Sequence, residues 1–184
     1  MRKLTLELNG NEIDQSPAFV FEVQVMKAGT RRVVAFVPDG QADLIQRLST
    51  LLPEPFYVLY VLHTPRGEGE PGRYQSTELS REDLDRFLTR YRLFFAGDAR
   101  HDLWVYSPGS GRTLVWDRHN MLFAEGERLD DVIAALGEQG FEEGVVQPLA
   151  NHVHHYRPEY DGDAASLLAA FDWHRKPLRP EDEQ

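Results

Sequence analysis

Apolar and polar residues alternate along the first third of this chain, which is the pattern of strands with one buried face. Residues 3–8 place three leucines on one face, and a turn signal follows at 9–11. Residues 19–25 and 31–37 alternate in the same way, with turn residues between them at 27–30. We predict an edge strand first and a β-hairpin after it.

Further strands are predicted along the rest of the chain. Residues 56–62 are apolar at every position, so we expect this strand to lie at the centre of the sheet, covered on both faces. Three short segments at 103–106, 113–116 and 121–125 are separated by turn residues and predict an antiparallel meander. A last strand is predicted at 144–149.

Four segments carry apolar residues at helical spacing. The clearest helix follows Ser80, which with Asp83 forms an N-cap signal, and it is predicted to stop at Gly97. The second ends at Gly140, with Phe141 placed for the apolar contact that follows a C-cap glycine. The apolar stripe of this second helix lies at 129–136, and the other two helices are predicted at 44–52 and 163–171.

The order of these elements predicts the fold class. Strands and helices follow one another as βββαβα, and the same order repeats from about residue 102. We predict an α+β protein with two layers, a mainly antiparallel sheet and helices, in which residues 1–98 and 99–173 are two related halves of one domain. Residues 174–184 are predicted to form a charged C-terminal tail.

The composition excludes several classes of function. The chain has 184 residues, a net charge of -10 and no cysteine, so thiolate catalysis, sulfur-ligated metals and binding to nucleic acid or anionic membranes are not expected. No apolar run approaches the roughly 18 residues that cross a bilayer, so we expect a cytoplasmic protein. The three lysines, Lys3, Lys27 and Lys176, lie near the chain ends or in a turn, which argues against a buried, reactive lysine.

The densest group of polar residues runs from 151 to 163. His152 and His154 are two positions apart, so on an extended segment they share a face and could hold one divalent ion, with Asp161 or Asp163 folding back as an oxygen ligand. Zinc or manganese is the cofactor that such a group would take, and no other cofactor is expected. The alternative is that the histidines pack and hydrogen-bond at a sheet edge.

His119 lies in the predicted turn before the last strand of the meander. It is a candidate third ligand or general base, which Asp117 would orient. In the alternative interpretation, Asp117 and Asn120 close a tight turn through hydrogen bonds to the backbone, and His119 is solvated.

The loop at 64–77 contains a literal G-x-G-x-x-G at 67–72, but no helix begins within its glycines and two glutamates would repel a phosphate. We therefore do not expect a dinucleotide there. Arg66 and Arg73, with Tyr74 beside them, are candidates for binding an anion or a partner.

Aromatic residues on the meander give a second candidate surface. Trp104, Tyr106 and Trp116 would form a binding face if their side of the sheet is open. If the helices cover that side instead, these residues belong to the core.

Three segments, Gly72-Arg73-Tyr74-Gln75-Ser76, Val115-Trp116-Asp117-Arg118-His119-Asn120 and His152-Val153-His154-His155-Tyr156, resemble a group of bacterial proteins without an assigned activity. The resemblance covers residues 55–173. It implies a bacterial, cytosolic protein and no particular substrate, cofactor or catalytic residue.

Three functions remain open from the sequence. The first is a non-enzymatic protein-interaction or regulatory module whose acidic surface binds another protein, such as a basic toxin that it neutralises. The second is a metal-dependent hydrolase or metal-binding regulator that uses His152 and His154. The third is a small-anion-binding domain organised by Arg66 and Arg73.

Overall fold

Antiparallel strands form most of this structure, a computed structural model that describes residues 2–8, 11–13, 18–26, 29–147 and 151–183. The strands are β1 Leu4–Leu8, β2 Asn11–Ile13, β3 Val20–Val25, β4 Arg31–Phe36, β5 Tyr57–Leu62, β6 Gly72–Gln75, β7 His101–Ser107, β8 Arg112–Trp116, β9 Met121–Gly126, β10 Glu142–Glu143, β11 His152–His154 and β12 His174–Lys176. The helices are α1 Leu44–Ser49, α2 Arg81–Gly97, α3 Asp130–Glu138 and α4 Asp161–Leu168, and short 3₁₀ helices lie at Pro158–Tyr160 and Pro180–Glu183.

One large sheet has the strand order β10-β3-β4-β9-β8-β7-β5-β6-β12. All of its neighbouring strands are antiparallel except β10, which pairs parallel with β3. The hairpin β3-β4 and the meander β7-β8-β9 form as the sequence predicts. The meander, which belongs to the predicted half 99–173, lies between β4 and β5 of the predicted half 1–98, so strands of both halves are neighbours in one sheet.

The helices pack on one face of the large sheet, which confirms the two-layer α+β fold. Alternate residues of the central strands, such as Val58, Val105 and Leu114, are buried in one apolar core with the inner stripes of the helices. The intervening residues, among them Trp104 and Phe123, point to the opposite face, which the helices do not cover. Among the described helices, none combines the length and the apolar character needed to span a bilayer.

The long helix α2 begins and ends at the predicted residues. Ser80 accepts a hydrogen bond from the Asp83 backbone N–H at 3.2 Å, so it is the N-cap. The helix ends at Gly97, where a Cβ would lie 2.7 Å from the ring of Tyr160. Close packing of this aromatic ring therefore explains the glycine.

The end of α3 also follows the predicted signal. Gly140 has φ +86°, a left-handed conformation, and the Phe141 N–H donates to the Leu136 carbonyl at 3.1 Å. Phe141 is 3% exposed, which buries the apolar residue that follows the glycine.

Several elements differ from the predictions. β1 is the middle strand of a separate small sheet and not an edge strand, and β5 lies between β7 and β6 near one side of the large sheet and not at its centre. β6 and β12 were predicted as loop and tail, and they pair with each other at that side. Residues 144–147 form no strand. The predicted turns at 9–11 and 27–30 and the strand end at 148–149 lie wholly or partly outside the described residues.

The small sheet has the order β11-β1-β2 and joins distant parts of the chain. Leu4 is paired with His154 and Leu6 with His152, both antiparallel. Directly paired residues share a face, so both histidines lie on the same side as these leucines. Leu4 is 8% exposed, which shows that this side faces the rest of the molecule.

A buried cluster of charges attaches β11 to the end of α2. Asp98 and Arg100 are fully buried, and both carboxylate oxygens of Asp98 accept hydrogen bonds of 2.9 Å from the Arg100 guanidinium. Asp98 also accepts from the Arg157 N–H at 2.7 Å, just after β11. Glu68 and Asp161 complete the set of carboxylates around Arg100, at 3.1 and 3.0 Å.

Replacing Asp98 with Asn should destabilise the protein strongly, because it leaves a buried guanidinium without its main counter-ion. We expect a loss on the order of 3 kcal/mol in the free energy of unfolding, measured by denaturant titration. The control is Glu82→Gln, which breaks an exposed ion pair with Arg86 on α2 and should change stability little. Equal stability of the two variants would contradict this account of Asp98.

His101 is another fully buried polar side chain, and it packs among aromatic rings. Its ring lies 4.6 Å from that of Phe94 and 5.1 Å from that of Tyr60, and within the described part of the chain neither ring nitrogen has a hydrogen-bond partner. Burial, and then the positive charges of Lys3 and Arg100, hold the pKa of His101 well below its usual value.

His101 should therefore make the protein less stable in acid. Below about pH 6.5 the unfolded chain binds a proton at His101 while the folded protein does not, so stability present above that pH is lost as the pH falls. His101→Leu should show a smaller fall in melting temperature between pH 7 and pH 5 than the unsubstituted protein. His174→Gln, which changes an exposed histidine, should show an unchanged fall. A fall in His101→Leu as large as in the parent would refute the assignment.

Candidate metal centre

His119 lies in the tight turn that joins β8 to β9. The backbone of Asp117 and Met121 closes the turn with a 2.9 Å hydrogen bond, and Oδ1 of Asp117 accepts a second from the Met121 N–H at 2.8 Å. Asn120 takes the left-handed conformation with φ +61°, and its side chain donates to the Val37 carbonyl at 2.7 Å. The turn predicted from Asp117 and Asn120 therefore forms, and it holds His119 in a defined position.

His152 and His154 come to this turn from the small sheet. They occupy the two ends of β11 and share one face of it, as their spacing predicts. The ligand atoms of His119, His152 and His154 all lie within 4.8 Å of one another, and each side chain is half-buried. We call these three residues the histidine cluster.

The rings of the histidine cluster are arranged as three ligands of one ion would be. Their centroids are 5.4, 5.0 and 4.8 Å apart, and the ring planes are inclined to one another by 51–84°. Imidazoles that bind one tetrahedral zinc ion at about 2.0–2.1 Å have centroids about 5 Å apart. The cluster therefore needs only small side-chain movements to bind one ion.

Neighbouring groups orient two of the three rings. Nδ1 of His119 lies 3.3 Å from Oδ2 of Asp117, and Nδ1 of His154 lies 3.3 Å from the Tyr156 hydroxyl. These contacts leave the Nε2 atoms of both rings for another partner. Nε2 of His154 is buried and, among the described residues, has no hydrogen-bond partner.

The protonation state of His154 suits a metal ligand. Burial, and then the positive charges that His119 and His152 can carry, lower its pKa to about 4. At neutral pH this imidazole is uncharged, which is the form that binds metals.

A fully buried lysine connects the two parts of the site. Nζ of Lys3 donates to the Asp117 carbonyl at 2.8 Å and lies 4.4 Å from the ring centroid of Trp116. Burial lowers the pKa of Lys3 to about 8, against the opposing effect of Asp117, Asp102 and Asp98. Lys3 is buried although it lies near the chain start, because it anchors β1 to the turn.

Asp102 holds the same turn from β7. Its Oδ1 accepts a hydrogen bond from the Arg118 N–H at 2.8 Å, and its Oδ2 lies 2.9 Å from Nε2 of His63, although at an angle outside that of a good hydrogen bond. Burial opposes ionisation, but the contact with His63 keeps the pKa of Asp102 below its usual value. The turn that carries His119 is thus fixed by ionised and hydrogen-bonded groups on both sides.

A groove of about 400 Å³ opens beside the histidine cluster on the face of the large sheet that the helices leave uncovered. His119 and His152 line it, together with Asp117. Its floor and walls come from β3, β4 and β9 and from the segment after β10: Gln24, Arg32, Val34, Met121, Phe123, Val146 and Gln147. The site is therefore accessible to a small molecule.

Asp161 is not part of the histidine cluster, contrary to the prediction. It is the first residue of α4, and its Oδ1 accepts hydrogen bonds from Arg100 at 3.0 Å and from Arg66 at 3.1 Å. Burial works against ionisation, but these two arginines keep the pKa of Asp161 below its usual value. Asp163 likewise belongs to the first turn of α4.

The two arginines predicted to clamp an anion are each held by a carboxylate of this chain. Arg66 binds Asp161, and Arg73 on β6 binds Asp182 near the C-terminus. Tyr74 is 8% exposed and donates its hydroxyl to the Glu70 carbonyl at 2.6 Å, so it is not a surface contact. Arg66 and Arg73 therefore stabilise the loop and the C-terminal segment.

The predicted aromatic face divides between the two sides of the sheet. Trp116 is directly paired with Leu103, and both are buried under the helices, so Trp116 is not a surface residue. Trp104 and Tyr106 point to the other side, where Trp104 shares a groove of about 370 Å³ with Arg73. The Arg73 guanidinium lies 5.5 Å from the Trp104 ring centroid.

Sequence reasoning missed three residues that shape the site, namely Lys3, Asp102 and Arg32. The alternation of β7 could have indicated Asp102, since it is a charged residue on the strand face opposite Leu103 and Val105. Lys3 and Arg32 give no comparable signal, because their positions depend on packing between distant segments.

No protein-family model, curated protein or solved structure matches this chain. Its function is therefore inferred from the geometry of the site itself.

Proposed function

We propose that this protein is a metal-dependent hydrolase that binds one divalent transition-metal ion through His119, His152 and His154. The observation that supports it is the convergence of these three imidazoles, from two distant segments, with their ligand atoms within 4.8 Å of one another. The two segments that supply them, the turn after β8 and the strand β11, lie more than thirty positions apart in the chain. A single cation satisfies all three at once.

The kind of ligand favours zinc over manganese. Of the two oxygen ligands proposed from the sequence, Asp161 is held by Arg66 and Arg100, and Asp163 lies in the first turn of α4. Among the described residues, the cluster therefore offers three nitrogens. Imidazole suits zinc and the neighbouring transition metals, while manganese prefers carboxylate and water oxygens. Zinc is therefore the metal with which to test the site first.

Three protein ligands favour catalysis over a purely structural role. Structural zinc sites are closed by four protein ligands, whereas catalytic sites have three and leave a position for water or substrate. Here the groove beside His119 and His152 gives that position an approach from solvent. A metal ion bound there would supply an acidified water for hydrolysis, and Asp117 would keep the His119 ring oriented.

The protein-interaction function ranks second. It is supported by the net charge of -10 and by Tyr106, which is 41% exposed beside Trp104 on the uncovered face of the sheet. These features would suit a basic partner but specify no binding geometry, whereas the histidine cluster defines one ion and its ligands.

Metal-free protein should bind one zinc ion per chain, measured by isothermal titration calorimetry and by elemental analysis after gel filtration. Zinc in free excess at about a hundred times its dissociation constant should stabilise the fold by about 2.7 kcal/mol, seen as a higher melting temperature. His119→Ala, His152→Ala and His154→Ala should each lose most of this binding, because two imidazoles hold zinc far less tightly than three. The matched control is His174→Ala, at an exposed histidine on β12, which should bind zinc as the parent does.

Zinc bound equally by the triple alanine variant and by the parent would overturn the assignment, as would no zinc binding by the parent.

The zinc-loaded protein should hydrolyse 4-nitrophenyl acetate faster than the same concentration of free zinc or of metal-free protein. The rate should rise with pH around neutrality, since zinc at a catalytic site lowers the pKa of its bound water to about 7. Release of 4-nitrophenolate, followed by absorbance, measures it. The activity should be absent from His154→Ala and retained in His174→Ala. If zinc binds as predicted but adds no activity, the site is a structural or regulatory one.

A further inference from the structure

The groove beside the histidine cluster carries a cation that the metal site does not use. Arg32 lies on β4 and points to the face of the sheet that the helices leave uncovered, where it lines the groove with His119 and His152. Its side chain is 27% exposed, so the guanidinium is partly desolvated but still accessible. A guanidinium stays charged at any physiological pH.

Arg32 is positioned by its neighbours without being neutralised by them. Its Nη2 donates to Oε1 of Gln24 at 2.9 Å, and its Cζ lies 5.2 Å from the ring centroid of Phe123. The nearest carboxylate oxygen in the described structure, on Glu125, is 3.7 Å from Nη1 and therefore beyond hydrogen-bond distance. This ion pair is long and partly exposed, so a ligand carboxylate at hydrogen-bond distance can displace Glu125 from the guanidinium.

Apolar side chains of β4 and β9 line the groove together with Arg32 and the histidines. Val34 is 3% exposed, and Met121 and Phe123 are half-buried beside it. These three side chains lie on adjacent strands, with Val34 paired directly to Phe123. The groove is thus lined by a cation, by apolar side chains and by two of the histidines proposed to hold the metal ion.

We propose that this groove binds a small organic carboxylate, whose carboxylate group is held by Arg32 and whose apolar body lies on Val34, Met121 and Phe123. The far end of the same molecule reaches the metal ion, and this last part rests on the proposed function. The substrate class is accordingly an amphipathic monoanion rather than a nucleotide or a sugar. Arginine suits the role because its planar fork binds a carboxylate through two parallel hydrogen bonds.

Glu125 makes the inference testable in two directions. Its carboxylate competes with the ligand for Arg32, so removing its charge should strengthen binding, while removing the guanidinium should weaken it. A groove that bound apolar molecules only by shape would respond to neither substitution.

The probe is 3-phenylpropanoate, titrated by isothermal calorimetry into zinc-loaded and into metal-free protein. We expect binding to weaken about tenfold or more in Arg32→Gln, since a charge-assisted hydrogen bond is lost, and to tighten in Glu125→Gln. The neutral analogue 3-phenylpropan-1-ol should bind the parent at least about tenfold more weakly than the acid. Circular dichroism checks that both variants fold, and zinc titration of Arg32→Gln shows whether its metal site is intact.

The outcomes distinguish the proposed carboxylate-binding groove from the proposed metal site. Loss of acid binding in Arg32→Gln with zinc binding retained supports the groove, and the same loss in metal-free protein supports it even if zinc never binds. Acid binding that is lost in His119→Ala but unchanged in Arg32→Gln overturns it, because the metal alone then holds the carboxylate. Equal binding of acid and alcohol, or no effect of Glu125→Gln, also overturns it. If Arg32→Gln does not fold, the Glu125→Gln and alcohol comparisons still decide.

Discussion

The hydrogen bond from Lys3 to the Asp117 carbonyl is the contact on which the arrangement of the site depends. Lys3 precedes β1, β1 pairs with β11, and β11 carries two of the three histidines. Asp117 belongs to the turn that carries the third. Burying an ammonium group is costly, and its lowered pKa of about 8 reflects that cost. The aromatic ring of Trp116 and the nearby carboxylates offset it, so one residue ties the small sheet to the meander.

The uncovered face of the large sheet explains why a site can form at this place. The helices pack against the other face and form the main core. The small sheet β11-β1-β2 is the element that brings His152 and His154 to the turn after β8, and beside this junction the groove remains open. Rigid antiparallel strands position Arg32, Val34 and Phe123, whereas the histidines are contributed by a turn and a short strand. The proposed substrate contacts and the proposed metal ligands therefore come from different structural units.

The sequence predicted the parts of the site that follow from local rules. The spacing of His152 and His154 required a shared face on any extended segment, and Asp117 and Asn120 indicated the turn that places His119. The sequence could not predict that Asp161 lies outside the histidine cluster. Asp161 is bound by Arg66 and Arg100, which are distant from it in the chain. Apolar spacing, capping residues and turn residues likewise predicted the two-layer fold, the N-cap at Ser80 and the meander.

Other features depended on register and on pairing between distant segments. Trp104 and Trp116 are both aromatic residues of adjacent strands, yet the pairing of Leu103 with Trp116 puts them on opposite faces. β6 and β12 contain glycine and charged residues and lack an apolar pattern. They are strands because β6 pairs with β5 and β12 pairs in turn with β6 at the sheet edge. β5 lies away from the centre of the sheet for a similar reason, because the meander β7-β8-β9 lies between it and β4.

A metal ion at the histidine cluster would act on the structure as well as on a substrate. Without it, protons on any two of the three imidazoles repel each other, which is one reason for the low pKa of His154. A divalent cation replaces that repulsion with attraction from all three, and it does so across the junction between the small sheet and the turn. It also adds positive charge next to Asp117 in a chain of net charge -10. The same ion would then hold the junction closed and line the groove, so stability and ligand binding should both respond to it.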